Sequence, residues 1–127
     1  MKFSYKFFRN AYYPVIPLTL AHKEKRVNTS ALVDSGATIS IFNSSTGSEL
    51  GMDVESGEKR IFQGVSAKLI GYVHTMTMVI EGEEIQCKVA FSGELGTSFN
   101  LIGREGIFDK FLITFNESRR ELLMENI

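Results

Sequence analysis

The sequence holds a single cysteine, Cys87, and this scarcity excludes both an internal disulfide and a thiolate metal cluster. Cys87 lies in the alternating run Glu84 to Val89, which reads as a half-buried strand position. Basic charge is also scarce. Fourteen Lys and Arg stand against fifteen Asp and Glu, for a net charge of -1 and a pI near 6.1. The cations are scattered, so no field is expected that would hold a nucleic acid. Long apolar runs are missing too: charges interrupt the stretch from Met1 to Arg9 before it reaches signal-peptide length, and no later run spans a bilayer. A membrane is therefore not an expected partner, and a reducing cytoplasm is the expected compartment. Aspartate is rare, with three in the chain: Asp34, Asp53 and Asp109.

What is present suits one globular unit, expected to span residues 1–127, with 43% hydrophobic and 23% charged residues. Pro14 to His22 and Arg26 to Val33 form an apolar, β-branched pair around the polar turn at Lys23 to Lys25, a hairpin pattern. Ile39 to Phe42 reads as another strand, and Ser45 to Gly51 as one helical turn stopped by glycine. Apolar and polar residues alternate from Lys59 to Phe91, punctuated by the turn Glu81-Gly82-Glu83. Beyond the loop Ser92 to Ser98 come a strand into Gly103, a short helix from Arg104 to Lys110, and strands at Phe111 to Phe115 and Glu121 to Met124. The fold class expected is all-β, a small closed barrel or sandwich with one or two short helices.

The chemistry concentrates at Asp34. An aspartate that hydrolyses amides needs a rigid strand end, donors toward its carboxylate and a second carboxylate in contact. Leu32-Val33 anchors the strand; Ser35 offers a hydroxyl to nearby backbone; the Gly36 amide can donate to the carboxylate; Ala37 keeps the approach narrow. Asp53 and Asp109 sit in no such corner and read as surface or capping residues. His22 and His74 have no acidic or thiol neighbour at ligand spacing, and Met76 and Met78 read as core or groove lining. No metal or cofactor is expected.

An aliphatic pair followed by Asp34-Ser35-Gly36-Ala37 resembles the active-site signature of aspartic peptidases, and Leu101-Ile102-Gly103-Arg104 resembles the second signature of the retropepsin family. The closest flavour is the small cellular, homodimeric type. The resemblance implies a retropepsin-type fold in which the glycine corner at Gly103 and Arg104 backs the active-site loop. It also implies a flap over 61–72, tipped by Gln63 to Ala67, with Gly64, Val65, Ser66 and Ile102 contacting an extended peptide substrate. Residues 1–13 would be an N-terminal arm and 111–125 a C-terminal hairpin, the two segments expected to cement a homodimer. Leu122, Leu123 and Met124 fit interface or core equally. Catalysis would use a water held between two Asp34 carboxylates, one per subunit. The family's acidic residue after the Ala is replaced by Thr38-Ile39, which leaves Glu105 and Glu49 as candidate partners of Arg104. The competing function is a retropepsin-fold dimerisation or peptide-binding module with little turnover; a small barrel for a lipid-like ligand leaves the Asp34 signature unexplained.

Overall fold

The structure, a computed structural model, describes residues 1–64, 67–96 and 99–127. It is all-β in class. In chain order the strands are β1 (Lys2–Ser4), β2 (Lys6–Phe8), β3 (Ala11–Tyr13), β4 (Val15–His22), β5 (Lys25–Val33) and β6 (Ser40–Asn43), then β7 (Glu58–Gln63), β8 (Lys68–Ile80), β9 (Glu83–Ser92), β10 (Leu101–Ile102), β11 (Phe111–Asn116) and β12 (Glu121–Asn126). One helix, α1 (Ser44–Glu49), and a 3-10 turn at Val54–Ser56 interrupt them. Among the described residues no helix is long and apolar enough to cross a membrane.

The alternating pattern produces this architecture directly. In β4, Ile16, Leu18 and Leu20 point inward while Pro17 faces out, at a position where, among the described residues, β5 is its only hydrogen-bonding neighbour, so its missing N–H breaks no second ladder. The turns follow from local chemistry. Arg9-Asn10 joins β2 to β3 and Glu81-Gly82 joins β8 to β9, each with two successive positive φ angles (46° and 65°; 47° and 82°), the geometry that matches strand twist in two-residue hairpins.

Six strands pair in a closed ring, β4-β5-β10-β6-β9-β8 and back to β4 through Thr19↔Val79, with β7 continuing outward from β8 as a hairpin. Two contacts in this ring are parallel: β10 against β5 and β6 against β9. A separate sheet, β1-β12-β11, ties the two ends of the chain together, and β2-β3 stands as its own ribbon.

The main core gathers Ile16, Leu20, Phe42, Met78, Val89, Phe91, Ile102, Ile107 and Leu122, all fully enclosed. Met76 belongs to it, as does Met124, so Leu122 and Met124 serve the chain's own core while Leu123 is half-buried. A second, smaller cluster of Ile39, Ile41, Val73, Ala90 and Leu95 is covered by Phe62, Leu69 and Leu101.

Two expectations need correction. The helix predicted from Arg104 to Lys110 is a chain of turns, with the Phe108 amide donating to Arg104 O (2.8 Å) and Phe111 to Ile107 O (2.9 Å). Gly106 has φ +83°, outside helical space, and a Cβ there would lie 2.5 Å from Cys87 Cβ; the bend instead drives Ile107 into the core. Cys87 is buried rather than half-buried, and burial pushes its thiol up to about 11. The N-terminal arm is itself built from strands β1, β2 and β3.

Candidate functional site

The polypeptide leaves β5 at Val33 and turns sharply at Asp34. Its position is set by the neighbouring strand β10, which lies parallel to β5 with Leu101 opposite Leu32 and Ile102 opposite Val33. The Asp34 amide donates to Ile102 O (2.9 Å), and the two chains then cross: the Arg104 amide donates to Ala37 O (2.9 Å) and the Glu105 amide to Thr38 O (2.9 Å). The apolar corners at Val33-Asp34 and Ile102-Gly103 are thus laced together by backbone bonds.

Within the loop, the Gly36 amide donates to Asp34 Oδ1 at 2.8 Å, the bond expected from the Asp-Ser-Gly order. It fixes the half-buried carboxylate in one orientation. Gly103 meets a stricter requirement. A Cβ at this position would sit 2.3 Å from the Ile39 carbonyl carbon, so only glycine lets β10 pass so close behind the Asp34 loop.

The loop opens onto a cleft of about 640 Å³. Asp34, Gly36 and Ala37 line it together with Ile39, Ile41 and Leu101; Phe62, Gln63, Gly64, Lys68 and Leu69 come from the β7-β8 hairpin, and Glu94 and Leu95 from the loop after β9. The cleft's apolar lining therefore comes from part of the smaller cluster, Ile39, Ile41 and Leu95 with Phe62, Leu69 and Leu101, and the formal charges besides Asp34 are Lys68 and Glu94. Gly64 holds the hairpin end through its amide, which donates to Ala67 O (2.9 Å). Val65 and Ser66, expected at the hairpin tip, lie outside the described residues.

Ile102 does not line the cleft. It is wholly enclosed in the main core, and Leu101 lines the cleft in its place, because successive strand residues face opposite sides. Ser35 is exposed; among the described residues the loop is held by backbone amides and by Ser40, not by the Ser35 hydroxyl. Arg104 is also exposed. Of its candidate partners, Glu105 approaches Lys88 Nζ instead, at 3.9 Å. Asp53 and Asp109 are exposed as expected; His74 is half-buried, with Nε2 2.7 Å from Val54 O. Among the described residues no three His, Cys, Asp or Glu side chains gather as a metal would require.

Two positioning residues escaped the sequence reading. Asn100 is a clamp: its Oδ1 accepts from the Asn43 amide (2.9 Å), its Nδ2 donates to Ser30 O (3.1 Å), and its carbonyl accepts from the Leu32 amide (2.8 Å). Ser40 is completely buried, and its Oγ accepts from the Gly103 amide at 3.0 Å. The only signal for either was a polar residue between apolar ones, which in a strand pattern reads as solvent-facing. Ser40→Ala leaves a buried amide without an acceptor, so we expect a loss of about 1–3 kcal/mol, read as a lower urea midpoint at unchanged slope.

Set against known proteins, the chain matches no protein-family model and no curated protein.

Proposed function

We propose that the chain is one half of a homodimeric aspartic endopeptidase of the retropepsin type, with a flap formed by the β7-β8 hairpin. The observation that carries this reading is Asp34 itself: a half-buried carboxylate oriented by the Gly36 amide at 2.8 Å, at the edge of an apolar cleft wide enough for a peptide side chain. The chain's other aspartates are exposed and line no part of this cleft, so the second aspartate of a dyad must come from another copy.

A twofold axis beside Asp34 brings the two carboxylates together. Two such groups in contact cannot both ionise cheaply and share one proton. The ionised member takes a proton from a bound water, which attacks the scissile carbonyl, while the protonated member donates to the carbonyl oxygen. An extended peptide lies between flap and dyad, with apolar side chains against Ile39, Ile41, Leu95 and Leu101. The outer edge of β11 supports self-association: Phe-Leu-Ile-Thr-Phe-Asn carries no charge, ends its sheet, and exposes Leu112 and Phe115.

Titration with a statine-containing peptide, followed by sedimentation, tests the assignment. One inhibitor bound per two chains is expected, since the statine hydroxyl sits between both carboxylates. One inhibitor per monomeric chain, or no binding, overturns it.

A further inference from the structure

The catalytic scheme does not say what holds the β7-β8 hairpin at the cleft. Strand β8 is thirteen residues long, and its ladder with β9 ends at Tyr72↔Phe91. Beyond that pair Lys68 to Gly71 leave the ring, and among the described residues β7 is their only strand partner. A two-stranded ribbon has little stability of its own, so its place depends on what grips its root.

The grip falls to one side chain. Ser92 is 1% exposed and ends β9, where its backbone is held in the ring opposite Asn43 of β6. Its hydroxyl donates to Ile70 O at 2.6 Å, two residues past the last β8-β9 pair. The same oxygen accepts from the Glu94 amide at 3.1 Å. Both bonded segments lead into the cleft: Lys68 and Leu69 line it just before Ile70 on the hairpin, and Glu94 and Leu95 line it from the loop after β9. A buried hydroxyl used as donor and acceptor at once can release neither segment without leaving a polar group unpaired.

Resting on the peptidase reading, we infer that Ser92 is a positioning residue, whose hydroxyl roots the flap on the body of the subunit and ties its height to the loop at Glu94 and Leu95. Among the described residues this hydroxyl makes no bond to the Asp34 loop, which is held through Ile102 O and the Gly36 amide. Loss of the hydroxyl therefore loosens the grip on a peptide and spares the acid itself. A smaller share of molecules then holds the hairpin at binding height, and the apparent affinity falls by that share.

Hydrogen–deuterium exchange and steady-state kinetics on Ser92→Ala test the assignment. Backbone amides of 58–63 and 68–71 are expected to exchange about fivefold faster than in the parent, since the hairpin opens locally rather than with the whole domain. KM for a peptide that the parent cleaves rises about fivefold while kcat stays within about twofold, the pattern of lost binding without lost chemistry. Ser40→Ala is the control for general loosening: it also removes a buried hydroxyl, but one bonded to Gly103, so its hairpin exchange stays at the parent's rate. Should the alanine variant not fold, Ser92→Cys, similar in shape and a weak donor, carries the same comparison with a smaller increase. Hairpin exchange no faster than in Ser40→Ala overturns the clamp, and faster exchange with KM unchanged overturns its part in holding the peptide. A parent that hydrolyses no peptide overturns the peptidase reading alone, and the exchange rates then decide the clamp by themselves.

Discussion

Asp34→Asn is expected to abolish peptide hydrolysis, lowering the rate by about 10³-fold or more, while the chain stays folded. The substitution is nearly isosteric, and the amide oxygen can still accept from Gly36 N at 2.8 Å, so the loop keeps its shape. What disappears is the exchangeable proton: an amide can neither take one from water nor lend one to a carbonyl, and a positioned acid or base is worth roughly 10²–10⁴ in rate. In the proposed dimer both copies lose this group together. Mixing the variant with an equal amount of parent and letting subunits exchange gives a second reading, since about half of the parent chains then pair with an inactive partner and hydrolysis per parent chain falls to about half. Thermal melting of the variant should match or exceed that of the parent, because two facing amides need no shared proton to sit in contact. A variant that cleaves as fast as the parent removes Asp34 from the chemistry.

Gly103→Ala has the largest effect expected on stability. The added methyl would meet the Ile39 carbonyl carbon at 2.3 Å, its oxygen at 2.4 Å and its Cα at 2.8 Å, all backbone atoms that no rotamer change can move aside. Relief requires β10 to shift away from the Asp34 loop. That shift strains the bonds from Asp34 N to Ile102 O, from Arg104 N to Ala37 O and from Gly103 N to Ser40 Oγ. Overpacking of this kind costs typically 1–3 kcal/mol, and with three hydrogen bonds disturbed we expect about 4 kcal/mol, a large share of a small protein's stability. Urea denaturation followed by fluorescence or circular dichroism reads the change as a lower midpoint. A stability within about 0.5 kcal/mol of the parent, on the order of an ordinary surface substitution, would show that Gly103 is not the tight crossing described.

Local pattern carried far where a single interaction dominates. The strands β4, β5, β8 and β9 are legible because a period of two is imposed wherever one face of a strand is buried, and the turns at Lys23 and Glu81-Gly82 need residues tolerant of positive φ. The Asp34 corner was equally legible: the Gly36 amide reaches back two residues to Asp34 Oδ1, a bond made within one turn. Gly51, at φ +73°, ends α1 as its composition suggests.

Other features depend on partners far away in the chain. Alternation shows that Leu101 and Ile102 face opposite sides, but which one enters the core depends on where β10 lies between β5 and β6. Ser40 and Asn100 look solvent-facing until Gly103 and Asn43 are brought against them. The strands of the N-terminal arm were hidden by interrupting charges, since Phe3 gains its burial from Leu122 across the whole length of the chain.

The sequence by itself determined an all-β chain, its main hairpins and the acidic corner at Asp34, because each rests on contacts among near neighbours. Tertiary structure alone decided which residues line the cleft and which polar groups clamp the loop from behind. Those outcomes follow from long-range packing, in which a residue's role is set by the face that another strand presents to it.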